Sequence, residues 1–356
     1  MDLLEYRAGT KALEILKQRG LSPSDIEALL LPAIGPKWLV LAGLDRALLT
    51  RRWLDAATDR VLLFGSSVGA WRALTFGSQD SLRAHTDLVE TYCTQHFTHD
   101  HSPCAISDAY RRLIHTVFSA DDLTHAMRHP RFDIAISAVR VRRMWDHDRR
   151  SAQALMLGSA ALLNAVSSKA QSLFFERVTF ATDSPSSASS PILNGRVGTT
   201  ARLTTHNVRD VALATGTVPM YMQNVRDITD APPGSYIDGG FSDYHVNRST
   251  GAGHSISVLF LHQRRIIPSW LDKFVPWRRA ARDELSRLLL VYPSAEFVRS
   301  LPGAAIPTRD DFTKFVDQRE TRIERWRKVV AQSGALGERF IQDATTGDIA
   351  ARVRPL

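Results

Sequence analysis

One short stretch, Arg60–Leu74 (RVLLFGSSVGAWRAL), constrains the fold of this chain more than any other. Its apolar opening, closed by glycine, reads as a strand buried on both faces, the kind found inside a parallel sheet. The residues after Val68 read as a helix. Gly65-Ser66-Ser67-Val68-Gly69 joins the two, and a strand-to-helix turn this sharp leaves little room for a Cβ at either end. Such a turn forces its central residue into a strained conformation that lifts the side chain above the sheet, so the Ser67 hydroxyl is presented for chemistry. The amides opening the following helix add positive potential where negative charge would develop. The bare five-residue pattern recurs by chance, and a plain Gly/Ser turn entering a helix is the competing reading. The flanking strand and helix favour the nucleophile.

The rest of the chain agrees with an α/β fold. Apolar or β-rich runs at Phe132–Val141, Leu173–Phe180 and Ser255–His262 alternate with helical stretches, which predicts a mainly parallel central sheet flanked by helices. A helix is expected over Leu3–Arg19, stopped near Gly20, and another over Trp38–Thr50. Ser22 is placed to cap a helix with Pro23 at its first position. Ile26–Ile34 fits either a buried strand or a helix, and periodicity alone does not decide. Ala154–Val166 is apolar but carries Ser159 and Asn164 and falls short of the ~18 residues a spanning helix needs; a buried core helix is expected. The N-terminus shows Asp2 and an amphipathic pattern rather than a basic region ahead of an apolar run, unlike a secretory signal. Asp183–Pro191 (DSPSSASSP) is a soft loop inside the domain. After Ile266 the character changes to a Pro-, Trp- and Arg-rich segment, and from Arg309 onward the chain reads as helical and charged. The expected organisation is a catalytic domain over residues 1–265, with a Trp/Arg-rich segment and helical C-terminal extension over 266–356 packed on it.

Composition narrows the function. With 356 residues, 44% apolar and 23% charged, the chain can bury a large core without staples. Two cysteines exclude a disulfide framework and point to a reducing, cytoplasmic setting. The formal charge of +8 comes from arginines spread along the chain, without a zinc-finger, RNA-recognition or leucine-zipper pattern, so no nucleic-acid partner is expected. Cys93, His96, His99, His101 and Cys104 crowd one segment, but at no standard zinc spacing. A hydrophilic helix-to-loop passage explains them, and neither a metal nor a cofactor is expected.

A hydroxyl nucleophile needs a base. Tyr236-Ile237-Asp238-Gly239-Gly240 offers a carboxylate followed by two glycines, whose bare backbone can pass close to a nucleophile; a surface turn is the commoner use of Asp-Gly-Gly. In ordinary α/β-hydrolases several strands precede the elbow and a late histidine completes a triad, whereas here only about one βα unit lies upstream. The elbow, the Asp-Gly-Gly and the Ala212–Tyr221 segment before it (ALATGTVPMY) together resemble the patatin-like phospholipases, over roughly Ile26–Val246. That resemblance implies a patatin-like three-layer α/β fold and hydrolysis of fatty acyl esters of phospholipid or other glycerolipid. It implies Ser67 as nucleophile and Asp238 as its base with no histidine between them, and Gly65, Gly69, Gly239 and Gly240 as motif glycines. It also implies an oxyanion loop where the chain reads Ala33-Ile34-Gly35-Pro36-Lys37-Trp38. Gly35 and Lys37 match the family's glycine-rich basic loop, while Ala33, Ile34 and Trp38 replace glycines and Pro36 has no N–H. The expected donors are the amides of Gly35 and Lys37 and the one after Ser67, at Val68; losing one such donor costs about 3 kcal/mol in the barrier.

Two other readings stay open. One is a non-catalytic lipid- or protein-binding module on the same fold, suggested by the eroded glycine loop. The other is a Ser-His-Asp esterase drawing on His245, His254 or His262. Asp243 and His245 follow the Asp-Gly-Gly closely enough to line the site, although a structural role in the loop is the expectation. Trp270, Phe274 and Trp277 interleave with Arg264, Arg265, Lys273, Arg278 and Arg279. That mixture suits peripheral contact with the headgroup layer of an anionic membrane, and equally a loop that packs its tryptophans on the domain.

Overall fold

A computed structural model describes residues 2–95, 102–183, 198–246 and 255–356. The strands among them are β1 (Leu4–Ala8), β2 (Ile26–Leu31), β3 (Val61–Ser66), β4 (Phe132–Val141), β5 (Phe175–Ala181) and β6 (Thr199–Arg202). They continue with β7 (Val225–Arg226), β8 (Ser235–Ile237), β9 (Ile256–Phe260), β10 (Leu288–Pro293) and β11 (Arg354–Pro355). One sheet joins them in the order β11-β1-β10-β9-β2-β3-β4-β5-β6, with β8 paired to β4 and β7. From β10 to β4 all neighbours are parallel, while β1 and β5 run antiparallel to β10 and β4. Every residue of β3, β9 and β10 is buried, as expected for strands covered by helices on both faces. This is the mainly parallel, helix-flanked sheet that the sequence predicts.

Several local expectations are corrected. Leu3–Arg19 is not one helix: Leu4–Ala8 forms β1 and the helix runs Thr10–Arg19. Leu4, Tyr6 and Ala8 are buried with Glu5 and Arg7 between them half-buried, a period of two. Leu4, Ala8, Ala12, Ile15 and Leu16 also satisfy helical spacing, so the pattern fits both. With β1 and β2, two strands rather than one precede the elbow. Ser22 caps only a single 3₁₀ turn, Pro23–Asp25, closed by a capping box, and the chain then enters β2. The Trp38–Thr50 helix is two elements, a 3₁₀ helix at Gly35–Leu41 and an α-helix at Ala42–Thr50. The apolar Ala154–Val166 run lies in a helix, Arg150–Val166, but not in the core: only Gln153, Met156, Ala160 and Asn164 are buried. Among the described residues no helix is long and apolar enough to cross a membrane.

The expected helical C-terminal part is present, with its long helix at Arg319–Thr346, and the stretch beyond residue 266 also supplies a strand of the sheet. β10 lies between β1 and β9 inside the sheet. The long helix Arg319–Thr346 meets Ala42–Thr50 backbone to backbone: a Cβ on Gly43 would lie 1.9 Å from the Ser333 carbonyl oxygen, and one on Gly337 2.1 Å from that of Gly43. The Gly43 amide donates to Ser333 Oγ at 2.9 Å. The Pro/Trp/Arg-rich look of the segment after Ile266 reflects a connection across the surface, not a boundary.

Ala42–Thr50, which follows the oxyanion loop, is also tied to Val68–Gly77, the helix that follows the elbow. Arg72 donates from Nε and Nη2 to the two oxygens of Asp45 at 2.6 and 2.7 Å, with both side chains fully buried. Removing one member of such a pair leaves the other charged, buried and alone. Arg72→Leu is therefore expected to cost about 3–5 kcal/mol of stability in thermal or urea unfolding, and the double variant with Asp45→Leu should recover much of it.

Candidate active site

The elbow takes the strained form. Ser67 has φ 53° and ψ −129°, between β3 and the Val68–Gly77 helix, a conformation that a non-glycine residue holds only where its surroundings fix it. Those surroundings are tight. A Cβ on Gly65 would sit 2.5 Å from the Gly69 carbonyl oxygen, and one on Gly69 1.9 Å from that of Leu31. Ser67 Oγ donates to Asp238 Oδ2 at 3.0 Å. The other oxygen, Oδ1, accepts the Gly240 amide at 2.7 Å, which fixes the carboxylate plane. Asp-Gly-Gly is thus a close backbone approach and not a surface turn: a Cβ on Gly239 would lie 2.0 Å from the Ser137 carbonyl oxygen.

Both residues hang from one segment. Thr215 Oγ1 accepts the Ser67 amide at 2.8 Å and donates to the Ser137 carbonyl at 2.6 Å. The Thr215 and Thr217 carbonyls accept the amides of Gly239 (3.1 Å) and Asp238 (2.8 Å). A single turn after the Val208–Ala214 helix therefore sets Ser67 and Asp238 against each other. Thr215 was not singled out from the sequence, although it lies inside the Ala212–Tyr221 segment that was; its role follows from which backbone groups it meets.

Burial raises the pKa of Asp238, and the Arg309 guanidinium, the Gly240 amide, the Ser67 hydroxyl and the Lys273 ammonium pull it part of the way back. A carboxylate above its ordinary range is a stronger base. Lys273 stands over the Tyr244 ring, 4.2 Å from its centroid. Burial, with Lys37 and Arg309 as like-charged neighbours and Asp238 opposing, lowers it to about 7. Burial also lowers Lys37, with Asp310 opposing and Arg309 reinforcing the shift. Arg309 is exposed, and its charge interacts with Tyr110, Asp238, Tyr92 and Tyr244. A Cβ on Gly35 would lie 3.4 Å from its Nε, so it borders the oxyanion loop. Nothing local in the sequence marks Arg309, which reaches the site from the C-terminal part of the chain.

Arg309→Gln is expected to move the acid limb of the kcat/KM profile to higher pH. The guanidinium favours the ionised carboxylate; without it the Asp238 pKa rises, and the base is protonated, hence inactive, at a higher pH. A profile unchanged on the acid side would remove Arg309 from the site.

Of the three expected oxyanion donors, two find no hydrogen-bond acceptor for their amide among the described residues. Gly35 opens the 3₁₀ helix capped by Ile34, at φ 54°, and Val68 opens the helix after the elbow; first-turn amides have no partner inside their helix. In a 3₁₀ turn the i→i+3 pattern directs the Lys37 amide to the Ile34 carbonyl.

Among the described residues no late histidine is bonded to Ser67 or Asp238. His245 is buried, its Nδ1 accepts the Ile267 amide at 2.9 Å, and its ring stacks on Tyr244 at 4.5 Å. Burial holds His245 and His262 well below the usual imidazole range, hence neutral. His206 is exposed, and His254 lies outside the described residues. Asp243 is structural: its Oδ2 accepts from Arg177 Nε and Ser137 Oγ, each at 2.6 Å. Cys93 is buried and Cys104 exposed; His96, His99 and His101 lie outside the described residues, among which no group of three or more metal-ligating side chains occurs. The Trp/Arg segment divides. Trp270 packs on Phe241 at 5.2 Å and Arg278 pairs with Asp272 at 3.1 Å, whereas Phe274 and Trp277 are 64% and 70% exposed.

Compared with known proteins, the chain matches no family model and no curated sequence.

Proposed function

We propose that this protein is a serine hydrolase that cleaves carboxylic esters, with fatty acyl esters of phospholipid or other glycerolipid as its substrates. The observation that carries the reading is the 3.0 Å hydrogen bond from the strained Ser67 hydroxyl to the buried Asp238 carboxylate. In the first half-reaction Ser67 Oγ attacks the acyl carbonyl carbon while Asp238 takes its proton. The carbonyl oxygen gathers negative charge, and the Gly35 and Val68 amides are the donors available to it. As the C–O bond breaks, Asp238 passes the proton to the leaving alkoxide, and the acyl group stays on Ser67. In the second half Asp238 takes a proton from water, whose oxygen attacks the acyl-enzyme; Ser67 leaves reprotonated and the fatty acid is released. Arg309, joined by Lys37 and Lys273 when they are protonated, brings positive charge to this chemistry, which suits a reaction that develops an oxyanion.

A non-catalytic binding module on the same fold is the rival that the reduced glycine loop suggests. An intact nucleophile–base hydrogen bond and a Gly35 amide without an acceptor among the described residues speak against it. A fluorophosphonate probe should label the wild-type protein at Ser67, and a panel of glycerophospholipids and acylglycerols should yield free fatty acid. A protein that takes no label and releases no acid from any ester would reject the hydrolase reading.

A further inference from the structure

The Arg150–Val166 helix turns an uncharged ridge to solvent. No Asp, Glu, Lys or Arg occurs between Arg150 and Lys169, and Leu155, Leu162 and Val166 are 65%, 74% and 86% exposed. The opposite face is anchored beside the catalytic groups. Met156 and Ala160 pack in one cluster with Phe241 and Leu271, and Gln153 Oε1 accepts the Met220 amide at 2.6 Å, three residues beyond Thr217. At the helix C-terminus Arg278 donates to the Asn164 and Ala165 carbonyls at 2.7 and 3.4 Å. That bond seats the exposed Trp277 at the end of the ridge. Exposed basic residues flank it, Arg149 and Arg150 at one end, Lys169 and Arg279 at the other.

An apolar ridge of this length on a folded protein marks a contact surface, and its charge selects the occupant. A second copy laid on the ridge, parallel or antiparallel, would bring basic ends against basic ends. Anionic headgroups neutralise both ends at once, while the leucines and the indole enter the headgroup–acyl boundary. We propose that this face docks the protein on an anionic phospholipid bilayer, with the Arg150–Val166 helix lying in the membrane plane beside the segments that carry Thr217 and Asp238. The proposal deepens the lipid-hydrolase reading and rests on it for the identity of the substrate.

The test uses the full chain carrying Ser67→Ala, so that no turnover alters the membrane. It should sediment with vesicles of phosphatidylglycerol and phosphatidylcholine, less with phosphatidylcholine alone and less in high salt. Adding Leu155→Glu and Leu162→Glu should weaken that binding by about tenfold or more. In the background with Ser67 intact, the same two substitutions should leave the melting temperature and the hydrolysis of a short soluble ester unchanged. A milder pair, Leu155→Ser and Leu162→Ser, serves if the glutamates disturb folding. Undiminished vesicle binding by the substituted protein overturns the proposal. So does a parent that ignores vesicles, or a parent dimer that the substitutions dissociate with no vesicle affinity in either. If wild-type protein binds vesicles through this face but cleaves no ester, the hydrolase reading falls and the docking surface stands.

Discussion

Asp238→Asn is expected to lower ester hydrolysis by about 10³–10⁴-fold or more. The substitution keeps the side chain's volume, and the amide oxygen can still accept the Gly240 N–H. What changes is the group facing Ser67: an NH₂ donates where a carboxylate oxygen accepted at 3.0 Å, and it has no basic lone pair to take the proton. Ser67→Ala should produce a loss of the same order, together with complete loss of fluorophosphonate labelling. Because the two residues act as one unit, the double variant should be little worse than either single one. Both single variants should melt near the wild-type temperature; Asp238→Asn removes an electrostatic cost of burial, which offsets the weakened hydrogen bond. Turnover by Asp238→Asn within about tenfold of wild type would point to another base, and His245 and His262 would be the next to test. Their burial and neutrality predict that each, changed to Gln, leaves substantial activity.

Gly337→Val should be the most disruptive single change away from the site. A Cβ there meets the Gly43 carbonyl oxygen at 2.1 Å and the Ala47 Cβ at 2.7 Å. The first contact is with helix backbone, so no rotamer change relieves it, and the two helices must part along their length. Parting them opens the contact that fixes Ala42–Thr50 and, through the Asp45–Arg72 pair, the helix behind Ser67. The expected cost is about 4 kcal/mol or more, a fall in melting temperature on the order of 10 °C, or aggregation during expression. Gly334→Val is the control on the same helix, since a Cβ at Gly334 meets nothing within 4 Å, and it should cost far less. Equal melting temperatures for the two variants would show that the helices do not cross where the glycines place them.

What could be read from the sequence follows from how local each constraint is. The elbow was legible because strand, strained turn and helix are contiguous, so one short stretch carries the whole geometry. Asp238 was legible because two glycines directly follow it. β3, β4, β5 and β9 stood out as apolar or β-rich runs, whereas Ile26–Leu31 fitted strand and helix alike and nothing local marked Leu288–Pro293. β1 was not legible, because Leu4, Tyr6 and Ala8 fill a strand face while Leu4, Ala8 and Ala12 fill a helix face, and only its pairing with β10 decides. The Arg150–Val166 helix was misplaced for a different reason: a run without charges reads as core, and sequence does not say which apolar face finds a partner. Arg309 and Thr215 belong to a third kind. Each acts through groups distant in the chain, Asp238 and Gly35 for one, Ser67 and Ser137 for the other, and such meetings exist only once the sheet has closed. The Lys37 amide was assigned to the oxyanion by analogy of motif, and the tight 3₁₀ turn takes it away.

The place of β10 in the sheet sets an order of assembly. β1 precedes every other described strand of the sheet, but among the described residues it pairs only with β10 and β11, which follow all the others. β1 must therefore wait, unpaired, until the strands between have been synthesised, and the sheet closes around contacts between its first strand and its last two. Folds so dominated by distant pairings assemble slowly. Arg309 arrives in the same late stage, so a partly made chain holds Ser67 and Asp238 without the cation that tempers the carboxylate. The Ser67–Asp238 pair therefore meets its final electrostatic surroundings only once the last strands have joined the sheet.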